Sequence, residues 1–299
     1  ICSPNEVLQM LPYLINVYDE PFADSSALPS LLLNKVTKEY VTMALSGDGG
    51  DESFLGYNHF DWISNLNVIF IIPYLVRKVF SVAIVNKKVV GSKLEGVKRI
   101  LRSKSIDEVI ISIFTSGFTQ FLTKKKRLNW LEEYEIFKYL SKNPLQKDAD
   151  LNIKLWLEND SNVKVDRASM AFSVEVRSPF LDYRIIEFAR TLPVSYRYQR
   201  GRKKRILRDI LKEYIPEKVF NQPKKGFSIP LGDWIKNELR EEFQTNLSDD
   251  FLKIVPNLDV SKFKKVFTEH LEGRKDNSSQ IWRIYVLSKW YQEFGYFKK

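Results

Sequence analysis

The sequence predicts an α/β fold: a parallel-sheet core close to its beginning, followed by a mainly helical remainder. Three features of its 299 residues carry this. Two helix-like stretches lead into the short, apolar, partly β-branched run Tyr40-Val41-Thr42-Met43-Ala44-Leu45, which reads as a buried strand. The glycine- and acid-rich loop Ser46-Gly47-Asp48-Gly49-Gly50-Asp51-Glu52 follows at once, as loops follow the strands of open parallel sheets. From about residue 61 onward the apolar spacing is helical.

Taken in order, residues 7–17 form the first helix-like stretch, a Pro and Asp turn comes next, and residues 27–38 form the second. Asp24 and Ser25 stand where helix caps stand; capping is the favoured reading and placement near a substrate the sharper one. The most apolar segment, residues 66–85, is interrupted by Pro73 and by the pair Arg77-Lys78. Two mid-segment cations oppose a bilayer span, so the segment reads as buried helices. Residues 86–105 and 246–260 read as loops. Further helices are expected at 131–140, 151–157, 182–192, 204–214 and 280–294, with Pro193 and Pro216 after their helices and Asp182 as a cap. One domain over 1–299 is expected: 1–60 the end of the α/β core, 61–150 a helical insertion, 151–299 a helical part completing the site.

Composition removes several function classes. With 44% hydrophobic and 13% aromatic residues the chain can bury a sizeable core, so disorder is not expected. The single cysteine, Cys2, precludes an intrachain disulfide, and His59 and His270 are too few for an ordinary structural zinc site. No signal peptide is visible, and a cytoplasmic setting follows as the expectation. Because the first residue is Ile1, the chain reads as a fragment, a processed product or an excised domain. A net charge of +10 favours anionic partners without choosing among them. The run from Tyr196 to Arg205 mixes cations with aromatics as nucleic-acid surfaces do, but a charged loop entering a helix explains it. Neither nucleic acid nor membrane is expected as a partner.

The loop at Ser46 has two readings. Glycines let backbone N–H groups approach an anion, and carboxylates tolerate that anion only with a cation between them, for which Mg²⁺ on phosphate oxygens is the usual solution. Against this, a glycine- and aspartate-rich turn after a strand is often only a turn.

Other segments decide between them. Asp19-Glu20-Pro21-Phe22-Ala23-Asp24-Ser25-Ser26, then Leu45 to Glu52 with Gly56-Tyr57, resemble successive signatures of the asparagine synthetase family. Asp166-Arg167-Ala168-Ser169-Met170 with Glu175-Val176-Arg177-Ser178-Pro179-Phe180-Leu181-Asp182, and Pro223-Lys224-Lys225-Gly226-Phe227, match in the same order. The resemblance implies an ATP-pyrophosphatase core of the adenine nucleotide alpha hydrolase-like kind, incomplete at its N-terminal side. It implies an asparagine-synthase-type carbon–nitrogen ligase in which aspartate's carboxylate attacks the α-phosphate of ATP, pyrophosphate leaves, and ammonia displaces AMP.

In matching positions the resemblance implies that Ser46, Gly47, Asp48, Gly49 and Gly50 contact ATP, that Asp51 holds Mg²⁺, and that Asp48 sits beside the reacting acyl group. Lys224 would stabilise charge on the departing pyrophosphate, and one of Lys224 and Lys225 is expected to be solvated. Asp160 either helps deprotonate ammonia or caps the helix reaching Met170. Asp166, Arg167, Glu175 and Arg177 are expected to form a buried ion-pair network in preference to a site wall. The implied partners are aspartate or another carboxylate, ammonia from a glutaminase domain or subunit, and, as an open alternative, a second copy in a homodimer.

Departures from the family pattern matter. The upstream loop Ser-Gly-Gly-x-Asp-Ser and the glutaminase domain are absent, and Cys2, preceded by Ile1, is not the glutaminase nucleophile. The chain alone is therefore expected to be inactive. Ser53, Leu55 and Ser161-Asn162 replace residues the family usually has as apolar, glycine and an apolar pair. Substrate identity is thereby opened to other carboxylates, on a surface polysaccharide or a peptide, and a non-catalytic remnant remains an alternative.

Overall fold

The computed structural model describes residues 3–85, 92–114, 121, 123, 141–222 and 229–295. Cys2, Lys224, Lys225 and the stretch 131–140 lie outside the described residues. The molecule is mostly helical, and its described sheet consists of two strands, β1 (Met43–Leu45) and β2 (Glu175–Arg177). They pair in parallel, with Met43 opposite Glu175 and Leu45 opposite Arg177.

The strand expected to be buried is not. Met43 is 51% and Leu45 73% exposed, while Ala44 and Val176 between them are half-buried. A parallel strand is buried only when layers cover both faces and further strands cover its edges. Two three-residue strands supply neither to the outward side chains.

Two cores hold the chain together. In the first, the Leu11–Tyr18 and Ala27–Thr37 helices pack with Leu231–Lys236, Arg240–Asn246, Val260–Leu271 and Ser278–Phe294, so the beginning of the chain is buried against its end. Phe243 stacks on Tyr285 at 4.3 Å between centroids, and Tyr18 on Phe22 at 4.5 Å. The second core gathers Leu55, Phe60, Ile63, Leu66, Val109, Ile110, Leu145 and Tyr198. His59 ties into this half through Asp148, 2.8 Å away and fully buried, and His270 bonds Gly232 O and Asn277 N.

Several local expectations are met by specific groups. Asp182 caps the Tyr183–Thr191 helix, accepting from Arg184 N at 2.9 Å, and Pro73 separates the short Leu66–Ile69 helix from Tyr74–Val85. Others are corrected. Inside the stretch read as a loop lies the Ser92–Arg102 helix, whose apolar positions are too widely spaced among cations to stand out as a run. The short Asp249–Leu252 helix likewise interrupts the second expected loop. The helices expected over 66–85 form, but among their described apolar side chains burial holds only at Leu66: Ile71, Leu75, Val79 and Phe80 face outward while Arg77 and Ser81 face inward.

Candidate active site

The site begins where β1 ends. Ser46 N donates to Arg177 O at 2.8 Å and so continues the ladder into the loop. The Ser46 hydroxyl then donates to Asp48 Oδ2, and Ser161 reaches Asp48 Oδ1 at 3.4 Å from another helix. Gly47 is exposed, and a Cβ placed on it would meet nothing within 4 Å. Ser46, Gly47 and Asp48 thus form an open lip.

Gly49 and Gly50 are buried below it, against Phe180 and Leu181. Gly49 has φ +87°, and a Cβ there would lie 2.6 Å from Leu181 Cδ2 and 2.9 Å from Phe180 O. Left-handed strain costs about 1 kcal/mol and overpacking about 1–3 kcal/mol more. Gly49→Ala is therefore expected to lower stability by about 2–4 kcal/mol in urea unfolding. An unchanged midpoint would show that the loop is free to move away from Phe180.

The next turn holds Asp51, paired with Lys204 Nζ at 3.0 Å. A Cβ on Gly56 would sit 1.9 Å from Asp51 Oδ1 and 2.2 Å from Lys204 Cε, so that glycine makes room for the pair. Glu52 beside it is buried and bonded by the Tyr57 hydroxyl; burial pushes its carboxyl above the usual range, against that hydrogen bond. Leu55 occupies the left-handed region at φ 57°, which favours glycine, yet it is fully buried. The strain of about 1 kcal/mol is smaller than the 2–5 kcal/mol a buried leucine contributes, so leucine is kept.

Ser53, at the other departing position, buries a hydroxyl that has no hydrogen-bond partner among the described residues. Such a group costs about 1–3 kcal/mol. Ser53→Ala is expected to raise stability by about 1 kcal/mol, read from the same unfolding curves; a loss of stability would mean the hydroxyl is bonded.

Facing the loop is an unusual helix. Asn152–Ser161 is π-helical and runs without a break into the α-helix Asn162–Met170. π-helical geometry is rare, and where it occurs within helices it is frequently at functional sites. Because the helix is continuous, Asp160 has no helix start to cap, and that reading of it is excluded. Its neighbours Trp156, Ser161 and Lys164 were not assigned a role from the sequence. Only the four-residue spacing of Trp156, Asp160 and Lys164 could have pointed to a shared face.

Lys164 is the hub. Its ammonium lies 2.6 Å from Asp24 Oδ2, 3.7 Å from Asp160 Oδ1 and 5.8 Å from the centre of the Trp156 ring. Asp24 also accepts from Ser26 N at 2.9 Å, so it both turns the chain and faces the site. Burial pushes the Asp160 carboxyl up to about 7, and the Asp24 charge adds to this while Lys164 opposes it. In Asp24 burial works the same way, but the Lys164 charge and the bonds from Lys164 and Ser26 outweigh it and hold that carboxyl below its usual range. One carboxylate stays ionised; the other exchanges its proton near neutral pH.

Asp24, Ser25, Trp156 and Asp160 open onto a cavity of 660 Å³, closed on its far side by 229–233 and the start of the Ser278–Phe294 helix. Of its cations, Lys236 is paired with Asp233 at 3.0 Å. Arg283, half-buried, makes no hydrogen bond or ion pair among the described residues, and burial lowers its pKa.

The structure thus brings Ser46, Asp48 and Ser161 together, and Asp24, Asp160 and Lys164 together, with adjacent residues 160 and 161 joining the two groups. Asp51 stands apart with Lys204. The expected buried network of Asp166, Arg167, Glu175 and Arg177 is corrected: Arg167 pairs with exposed Asp19, and Glu175 with Arg177, both at the surface. Solvent is open to these side chains because β2 is exposed at Glu175 and Arg177. Among the described residues no three or more His, Cys, Asp or Glu side chains converge as a metal cage. Mg²⁺ needs only one or two carboxylates beside phosphate oxygens, and Asp51 has the hard oxygen donors it takes.

The sequence matches the asparagine synthase family over residues 1–292. It is 29% identical over 299 residues to asparagine synthetase [glutamine-hydrolyzing] 1 of Bacillus subtilis (strain 168), covering 97% of this chain and 46% of that protein. It is 26% identical over 143 residues to the Homo sapiens asparagine synthetase [glutamine-hydrolyzing], covering 43% of this chain and 25% of that protein. The chain spans about half the length of the B. subtilis relative.

Proposed function

The chain belongs to the asparagine synthase family, and on that premise we propose that it is the acyl-activating, amide-forming part of an ATP-dependent ligase. The carrying observation is the Asp24–Lys164–Asp160 cluster, open to the cavity and joined through Ser161 to Asp48 at the end of β1.

In this reading an acid, aspartate or another carboxylate, enters the cavity and its carboxylate attacks the α-phosphate of ATP, releasing pyrophosphate. Arg283 supplies a cation for a second anionic group on that acid, a role supported by its lack of any other partner among the described residues. Ser46, Gly47 and Asp48 line the nucleotide, and Asp48 faces the acyl group. Asp51 would hold Mg²⁺, which would neutralise phosphate charge, and Lys204 Nζ, 3.0 Å from Asp51, would add a second positive charge beside the phosphates. Lys224 meets the pyrophosphate. Ammonia then attacks the acyl carbon, AMP leaves, and Asp160 takes a proton from the new C–N centre. A group poised near pH 7 suits that exchange.

Part of the nucleotide site is supplied by further polypeptide, which also delivers ammonia from glutamine, so the chain alone is inactive. Two observations support this: the outward side chains Met43 and Leu45 leave one face of the sheet uncovered, and among the described residues β1 pairs only with β2.

The test is pyrophosphate release by the whole gene product with ATP, Mg²⁺, ammonia and a panel of acids including aspartate. Acid-dependent release that Asp51→Ala and Lys224→Ala lower supports the ligase. Absence of acid-dependent release with every acid of the panel would identify a non-catalytic remnant, and release with an acid other than aspartate would transfer the reading to that substrate.

A further inference from the structure

The apolar surface on the Tyr74–Val85 helix is arranged the wrong way round for a helix that packs only on its own protein. Leu75 is 73% exposed, and Ile71, Val79, Phe80 and Val82 are exposed with it, whereas Arg77 is 2% exposed and Ser81 fully buried. The inward arginine has a structural reason. Its guanidinium donates to Ile72 O at 3.0 Å, Ile100 O at 3.2 Å and Ser103 O at 2.9 Å and lies 3.9 Å above the Phe70 ring. It locks this helix to the end of the Ser92–Arg102 helix and turns the aliphatic side chains outward.

Charge identifies what meets them. Residues 62–104 contain nine Lys and Arg and a single acid, Glu95, which is +8 of the chain's net +10. Exposed Lys78, Arg102 and Lys104 belong to this segment. An exposed apolar face carrying Lys78, in a segment of strong positive charge, is the pattern of surfaces that lie in the headgroup region of anionic bilayers. Nucleic acid is disfavoured, because the face offers bases a single ring, Phe80, among aliphatic side chains and so no series of rings to stack on. In the function proposed above, on which this point rests, further polypeptide docks instead at the uncovered strand β1.

We propose that this helix pair docks peripherally on an anionic phospholipid surface, its aliphatic face entering among the headgroups and its cations meeting lipid phosphates. The earlier expectation of no membrane partner rested on the lack of a span, and no helix of the described residues is long and apolar enough to cross one. Lying on a membrane needs no span.

The experiment is co-sedimentation of the whole gene product with phosphatidylcholine vesicles, with and without phosphatidylglycerol. At least tenfold more protein is expected on the anionic vesicles, decreasing as salt is raised. Leu75→Asp/Val79→Asp and, separately, Lys78→Glu/Lys104→Glu are each expected to reduce binding about tenfold, with unchanged thermal unfolding and pyrophosphate release. Equal binding to neutral vesicles, no binding to either, or binding that neither variant lowers would overturn the proposal. So would a change of oligomeric state in the aspartate variant, which would assign the face to a second copy.

Discussion

Lys164→Met is expected to lower folding stability by about 3–5 kcal/mol, the cost of removing one partner from a largely buried ion pair. The ammonium sits 2.6 Å from Asp24 and 3.7 Å from Asp160, with side chains 13%, 16% and 23% exposed, so little water can take its place. Methionine fills most of the volume, so the loss reports charge more than packing. The pH dependence carries the sign. Asp24, held low, contributes stability that is present above its unfolded pKa and lost as pH falls through its folded one. Asp160, pushed up to about 7, does the reverse: the folded state keeps a proton the unfolded state has released, so stability falls as pH rises from the ordinary carboxyl range toward 7. Without Lys164 both carboxyls shift upward, and that decline should steepen. Urea unfolding between pH 5 and pH 8 checks it, and Lys164→Met/Asp24→Asn should recover much of the loss. A mutant as stable as the parent at pH 8 would show that the cluster is wet and its pairing weak.

Asp160→Asn is expected to lower ammonia-dependent amide formation by the whole gene product by about 10²–10⁴-fold, the usual contribution of a positioned base. Asparagine keeps the shape but cannot take the proton. The preceding step needs no base at this position, so acid-dependent exchange of pyrophosphate into ATP should stay within a few-fold of normal. In the parent the amide-forming rate, measured at a constant concentration of NH₃, should rise as pH passes through about 7, where Asp160 loses its proton, and in the variant that rise should vanish. Stability at pH 8 should hold or increase, because a buried carboxylate has been removed. Equal losses in exchange and amide formation would make Asp160 a positioning residue for the acid.

Much of the local structure was legible in the chain. Pro73 and Asp182 marked helix boundaries where the structure has them, because such residues act through their own backbone or the next turn. Residues 66–85 show the limit. Their apolar character gave helices correctly and burial incorrectly, since hydropathy does not say that Arg77 will find three carbonyls inside. The π-helical stretch was equally hidden: its residues carry an ordinary helical pattern, and only packing against the strand-end loop reveals the widened turn.

By itself the sequence determined the family, the order of its motifs and the position of the loop at Ser46, since these depend on residue identity along the chain. The tertiary structure decided which groups meet. Ser161 reaches Asp48 across 113 residues and Lys164 reaches Asp24 across 140. Periodicity reports which face of a helix is apolar but not what that face, or the charged one opposite, will touch. Asp160 has its near-neutral pKa from burial and from Asp24, and Lys164 holds both in place; each of these exists only once the chain has closed on itself.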